Sequence, residues 1–112
     1  MKKVIVLNGE TMGDGSQELG AQIMGSFLRQ LSVAMSGKPD ALIFYNSAVK
    51  LLTDKSQYLD ALEMLFQQGV DLIACGTCVA YYQLNDKIAV GRVSNMQEIV
   101  ATLLSSEKVI TI

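Results

Sequence analysis

Short apolar runs alternate with helix-period segments along almost the whole chain, and this constrains the fold more than any other feature. The runs are Lys2–Leu7, Ala41–Tyr45, Val70–Ala74, Ile88–Val93 and Lys108–Ile112. Within them polar and apolar residues do not alternate, so each reads as a strand buried on both faces. Such strands belong to parallel sheets, whose crossover helices cover the two faces. Right-handed crossovers then predict an α/β fold: a three-layer α/β/α sandwich around a mostly parallel sheet of five strands. At 112 residues, half of them hydrophobic, the chain reads as a single domain spanning residues 1–112. The order of the strands is not legible.

The helices are marked by stripes and stops. Leu19, Ile23, Phe27, Leu31 and Met35 recur every fourth residue, widened by Met24 and Leu28. Asp14 or Ser16 would cap this helix, and Ser36-Gly37-Lys38-Pro39 would end it. Ala48–Leu52 reads as a short helical turn. Gln57–Gln68 is a helix stopped by Gly69, Val79–Leu84 a short helix, and residues 95–105 a helix striped by Met96, Ile99, Val100, Leu103 and Leu104.

Composition removes whole classes of function. Histidine is absent, so one chain holds no Ser–His–Asp triad, Cys–His dyad or His-ligated metal. Two cysteines do not make a four-thiolate zinc site, and no cofactor motif is present. A net charge of −2 offers no basic excess for nucleic acid. Asn8-Gly9-Glu10 cuts the first apolar run short of a signal or membrane helix, so a cytoplasmic protein is expected.

In open parallel sheets, ligands bind beyond the carboxyl ends of the strands. Asn8, Asn46, Cys75, Asn95 and the loop holding Gly13 and Gly15 fall at that rim. Cys75-Gly76-Thr77-Cys78 is the sharpest signal, because a strand ends there and a helix begins. A helix N-terminus favours a thiolate, and a thiolate can carry sulfane sulfur or exchange disulfides. The competing interpretation is two small buried hydrophobes. The Gly13-Asp14-Gly15 loop matches neither GxxxxGK[ST] nor GxGxxG, and Glu10 and Asp14 would repel phosphate. Asn46 could orient a substrate or cap a helix; Asn95 reads first as a cap. Lys50 could lower a thiol pKa or simply be solvated. Arg92 could face the rim, an edge or a neighbouring subunit. Tyr81 and Tyr82 would wall a pocket or an interface.

Four segments in order resemble the YedF-type branch of the DsrE-like proteins: residues 13–20 (GDGSQELG), 44–51 (FYNSAVKL), 75–78 (CGTC) and 90–96 (VGRVSNM). That branch is sulfurtransferase-like and linked to selenium metabolism. The resemblance implies a parallel five-stranded α/β/α fold, homo-oligomers and a sulfur relay by cysteine persulfide. By position, Cys75 corresponds to the reactive cysteine, and Asn46 and Asn95 fall in the Asn-containing motifs. Gln83 stands where the resemblance leads one to expect glycine. Many YedF-type relatives carry an additional N-terminal TusA-like module with its own cysteine; if that module passes the sulfur, a partner in trans is expected here.

The expectation is therefore a sulfur or selenium relay. Cys75 accepts the atom, Cys78 resolves it, and Asn46, Asn95, Gly13, Gly15, Gly76 and Thr77 shape the pocket. Its partners would be a cysteine desulfurase or a TusA-like carrier. The alternative is a non-catalytic scaffold subunit with a redox-sensitive Cys pair. A small disulfide reductase is a third option, disfavoured because the only proline, Pro39, is not placed to face the pair.

Overall fold

The computed structural model describes residues 3–112. Its strands are β1 (Lys3–Leu7), β2 (Ala41–Phe44), β3 (Asp71–Cys75), β4 (Arg92–Ser94) and β5 (Lys108–Thr111). Its α-helices are α1 (Gln17–Val33), α2 (Leu59–Gln67), α3 (Gly76–Tyr81) and α4 (Met96–Ser105), and a 3₁₀ helix spans Asn46–Leu52. The five strands lie in the order β4-β3-β2-β1-β5, and every neighbouring pair is parallel. The α/β architecture read from the alternation is therefore present. Lys2, assigned to the first strand, lies outside the described residues.

Strand order explains the layers. The chain steps from β1 to β4 in one direction and then returns to the far side of β1. With crossovers of one hand, that reversal sends the last helix to the opposite face. The core divides accordingly. Ile5, Leu7, Leu42, Phe44, Leu72 and Ala74 pack against α1, α2 and the 3₁₀ helix. Val4, Val6, Ala41, Ile43, Ile73 and Cys75 pack with Ile99, the buried residue of α4.

Three sequence assignments shift. Helix α1 buries Met24 and Leu28 of the predicted stripe, with Phe27 and Leu31 packed against the core, but its buried face also takes in Gly20, Gly25 and Ser32. Leu19 and Ile23 are exposed, and Met35, beyond the helix, is 99% exposed. Glycine sets this face. A Cβ on Gly25 would lie 2.5 Å from Tyr58 Cε1, and the Tyr58 hydroxyl is anchored, donating to the Ala21 carbonyl at 2.7 Å. The helix comes close where it has no side chain, and hydrophobicity counts miss that.

Second, β4 starts at Arg92 rather than Ile88, which instead forms an isolated antiparallel bridge with Thr53. Gly91 turns the chain into the strand with φ +85°, its backbone against Leu72. Third, α3 begins immediately after Cys75 rather than at Val79. Its end is a Schellman motif: Leu84 N–H donates to the Val79 carbonyl at 2.9 Å and Gln83 N–H to the Ala80 carbonyl at 3.1 Å.

Candidate functional site at the Cys75–Cys78 junction

Cys75 is the last residue of β3 and the N-cap of α3. Strand alternation sends Leu72 and Ala74 to the α1 face and Ile73 and Cys75 to the α4 face. Cys75 is consequently only 3% exposed. Cys78, one turn into α3, is half-buried and packs against both core clusters. Both thiols are free.

The neighbouring crossover supplies the rest. Asn46 opens the 3₁₀ helix after β2, with φ +51°, a left-handed conformation that asparagine tolerates better than most residues. That turn aims its backbone N–H at Cys78, donating to Sγ at 3.0 Å. Its side-chain Oδ1 accepts from the Tyr82 hydroxyl at 3.0 Å. Tyr82 meets Tyr81 edge-on, with ring centroids 5.1 Å apart. Lys50 Nζ lies 4.4 Å from the Tyr82 ring centroid, within cation–π range, and 3.9 Å from Glu10. Asn46, Thr77, Cys78, Tyr81 and Tyr82 enclose a cavity of about 370 Å³.

Electrostatics act on the accessible thiol in opposing directions. Burial pushes the Cys78 pKa up, and the Cys75 side chain beside it pushes the same way. The Asn46 N–H pulls it down, but the net shift is upward. At Cys78 this upward shift runs against the stabilisation that a helix start lends a thiolate. The pKa of Tyr45, immediately after β2, is also raised, first by burial and then by the two thiols.

The sequence-nominated residues divide. Asn46, Thr77 and Cys78 line one cavity, and Cys75 lies behind Cys78. Gly76 serves packing: a Cβ there would sit 2.5 Å from the Ser94 carbonyl oxygen. Gly13 and Gly15 are exposed and do not line the cavity. Asn95 spends its side chain capping α4, accepting from Glu98 N–H at 2.9 Å. Arg92 faces neither rim nor cavity. It spans Asp71 at 2.9 Å and Glu98 at 2.8 Å, tying the edge strand to β3 and α4. Ser94 also donates to Glu98.

Sequence reasoning missed the Tyr82–Asn46 bond and the placement of Tyr45. A tyrosine pair after the cysteines signalled a wall, but the hydroxyl's partner lies on another crossover. Among the described residues, no group of three or more His, Cys, Asp or Glu side chains could hold a metal. No helix of the described residues is long and apolar enough to cross a membrane.

The sequence matches the DsrE/DsrF-like family over residues 1–112. Two solved structures share the fold. The YchN protein from E. coli is 19% identical, with a TM-score of 0.67 and complete coverage (100%) of both chains. A conserved protein of unknown function from Bacteroides thetaiotaomicron is 18% identical, with a TM-score of 0.70, covering 99% of this chain and 95% of its own. No curated protein matches the sequence.

Proposed function

This chain belongs to the DsrE/DsrF-like family, and from that premise we propose that it relays sulfur as a persulfide on its Cys-x-x-Cys pair. The observation that carries the proposal is the Cys78 Sγ, held by the Asn46 N–H in the wall of a cavity with Cys75 behind it. Cys78 takes the accepting role, because the 3% exposure of Cys75 keeps it from an incoming donor. This order reverses the roles expected from the sequence.

The step is a displacement at sulfur. The Cys78 thiolate attacks the outer sulfur of a donor persulfide, a new S–S bond forms, and the donor leaves as its thiolate. The Asn46 N–H then faces the anionic persulfide. An acceptor thiolate takes the outer sulfur in the same way. If Cys75 attacks the inner sulfur instead, the pair closes to a disulfide and hydrosulfide is expelled. Selenium fits the same chemistry. The partners proposed are a cysteine desulfurase and a TusA-like carrier, in the cytoplasm, with the chain as a homo-oligomer.

One observation favours a second reading, a binding subunit whose cysteines act only as a redox switch: the Cys78 thiol is pushed up rather than down. Intact-protein mass spectrometry after incubation with a desulfurase and cysteine separates the two. The relay predicts one added sulfur atom in wild type and Cys75→Ser, and none in Cys78→Ser. Full loading of Cys78→Ser would remove the assigned role. No loading of any form, beside a carrier that loads normally, favours the switch.

A further inference from the structure

A second, larger cleft adjoins the thiol cavity, with a volume of about 660 Å³. That lies within the range of small-molecule sites. Its lining includes Glu10, Gln17, Lys50, Lys55, Ser56 and Tyr82. Tyr82 lines both cavities, so the two spaces meet at its side chain.

The cleft combines apolar walls, among them Ala21, Leu51 and Leu84, with a cationic edge. The Lys50 ammonium is 3.9 Å from Glu10, beyond hydrogen-bond length, and makes no side-chain hydrogen bond among the described residues. Lys55 makes no ion pair among them. Ser56 adds a hydroxyl, though it already accepts from Tyr58 N–H at 3.2 Å. Gln17 opens α1, whose first turns carry the positive end of a 17-residue helix dipole. Two ammonium groups against one carboxylate leave the cleft net positive.

We propose that this cleft binds the anionic body of a low-molecular-weight persulfide and presents its outer sulfur to Cys78 past Tyr82. The proposal rests on the relay reading and names the donor class: a small, carboxylate-bearing thiol in its persulfide form. Lys50 and Lys55 hold the carboxylates, and the Tyr82 ring keeps Lys50 at the junction. The reaction balances without an added oxidant or reductant. The donor S–S bond breaks, the Cys78–sulfur bond forms, and the donor departs as a thiolate. The desulfurase then supplies the small persulfide by passing its sulfur to the free thiol, and the TusA-like carrier stands on the acceptor side.

Two measurements separate this inference from the relay itself. Equilibrium binding of S-methylglutathione, which cannot transfer sulfur, probes the cleft alone. The double variant Lys50→Met/Lys55→Met should bind it about tenfold more weakly, the worth of a charge-assisted hydrogen bond. Lys108→Met, on β5, should bind like wild type. Loading is then followed by mass spectrometry with glutathione persulfide, with a neutral ester persulfide and with a persulfidated carrier protein. Preference for the anionic over the neutral donor, lost in the double variant, supports the proposal. It is overturned if wild type does not bind S-methylglutathione, if the double variant binds it equally, or if only the carrier protein loads Cys78. Binding without loading from any donor would instead refute the relay.

Discussion

Replacing Gln83 by glycine should stabilise the protein. Gln83 occupies the residue after the C-cap of α3, with φ +58°. A side chain there costs about 1–2 kcal/mol relative to glycine. Glycine returns about 0.4–1 kcal/mol of that through the greater freedom of the unfolded chain. Gln83 is exposed, and no hydrogen bond of its side chain is lost. The net gain is about 0.5–1 kcal/mol, since the Schellman hydrogen bonds use backbone that glycine keeps. Urea denaturation reads this as a midpoint raised by a few tenths of a molar at unchanged slope. Gly69, at the same place after α2 with φ +93°, is the internal control. Gly69→Ala should lose about 1 kcal/mol. A neutral or destabilising Gln83→Gly, with Gly69→Ala behaving as stated, would refute the account of the α3 terminus.

Alkylation of native protein should modify Cys78 and leave Cys75 untouched until unfolding. Its rate should keep rising with pH past the ordinary thiol range, because the Cys78 pKa is raised; a plateau near neutrality, read by peptide mass spectrometry, would contradict this. Glu98 has its pKa lowered to about 2, first by the hydrogen bonds from Arg92. Its contribution is present above the unfolded carboxylate value and lost as pH falls through about 2, so wild type and Glu98→Gln should converge in stability on acidification and in high salt. An unchanged difference from neutral pH down to about 2 would exclude it. Gly25→Ala should lower stability by about 1–2 kcal/mol: overpacking against the anchored Tyr58 exceeds the helix-propensity gain, and thermal unfolding will show it.

The sequence by itself determined the class of fold, through local physics. Apolar runs without alternation need cover on both faces, and helix-period segments supply it. Ser16 as the cap of α1 and Gly69 as the stop of α2 were legible because capping acts within a few residues. The glycine expected at Gln83 points to a real left-handed turn. The Cys-x-x-Cys junction was legible as a strand end meeting a helix start, and with it the grouping of Asn46, Thr77 and Cys78.

Only the tertiary structure decided what depends on approach between distant segments. Strand order β4-β3-β2-β1-β5 leaves no local trace. The buried face of α1 took in Gly25 because it meets Tyr58, separated by 33 positions in the chain yet in contact. Exposure divided the cysteines: strand parity turned Cys75 into the α4 face, while one helical turn brought Cys78 to the cavity. The Asn46 N–H reached its sulfur only because two crossovers lie side by side. Asn95 and Arg92, polar residues near the same rim, were spent on a helix cap and an edge clamp. Local sequence records which groups are available, but their partners are set by the packing of the whole chain.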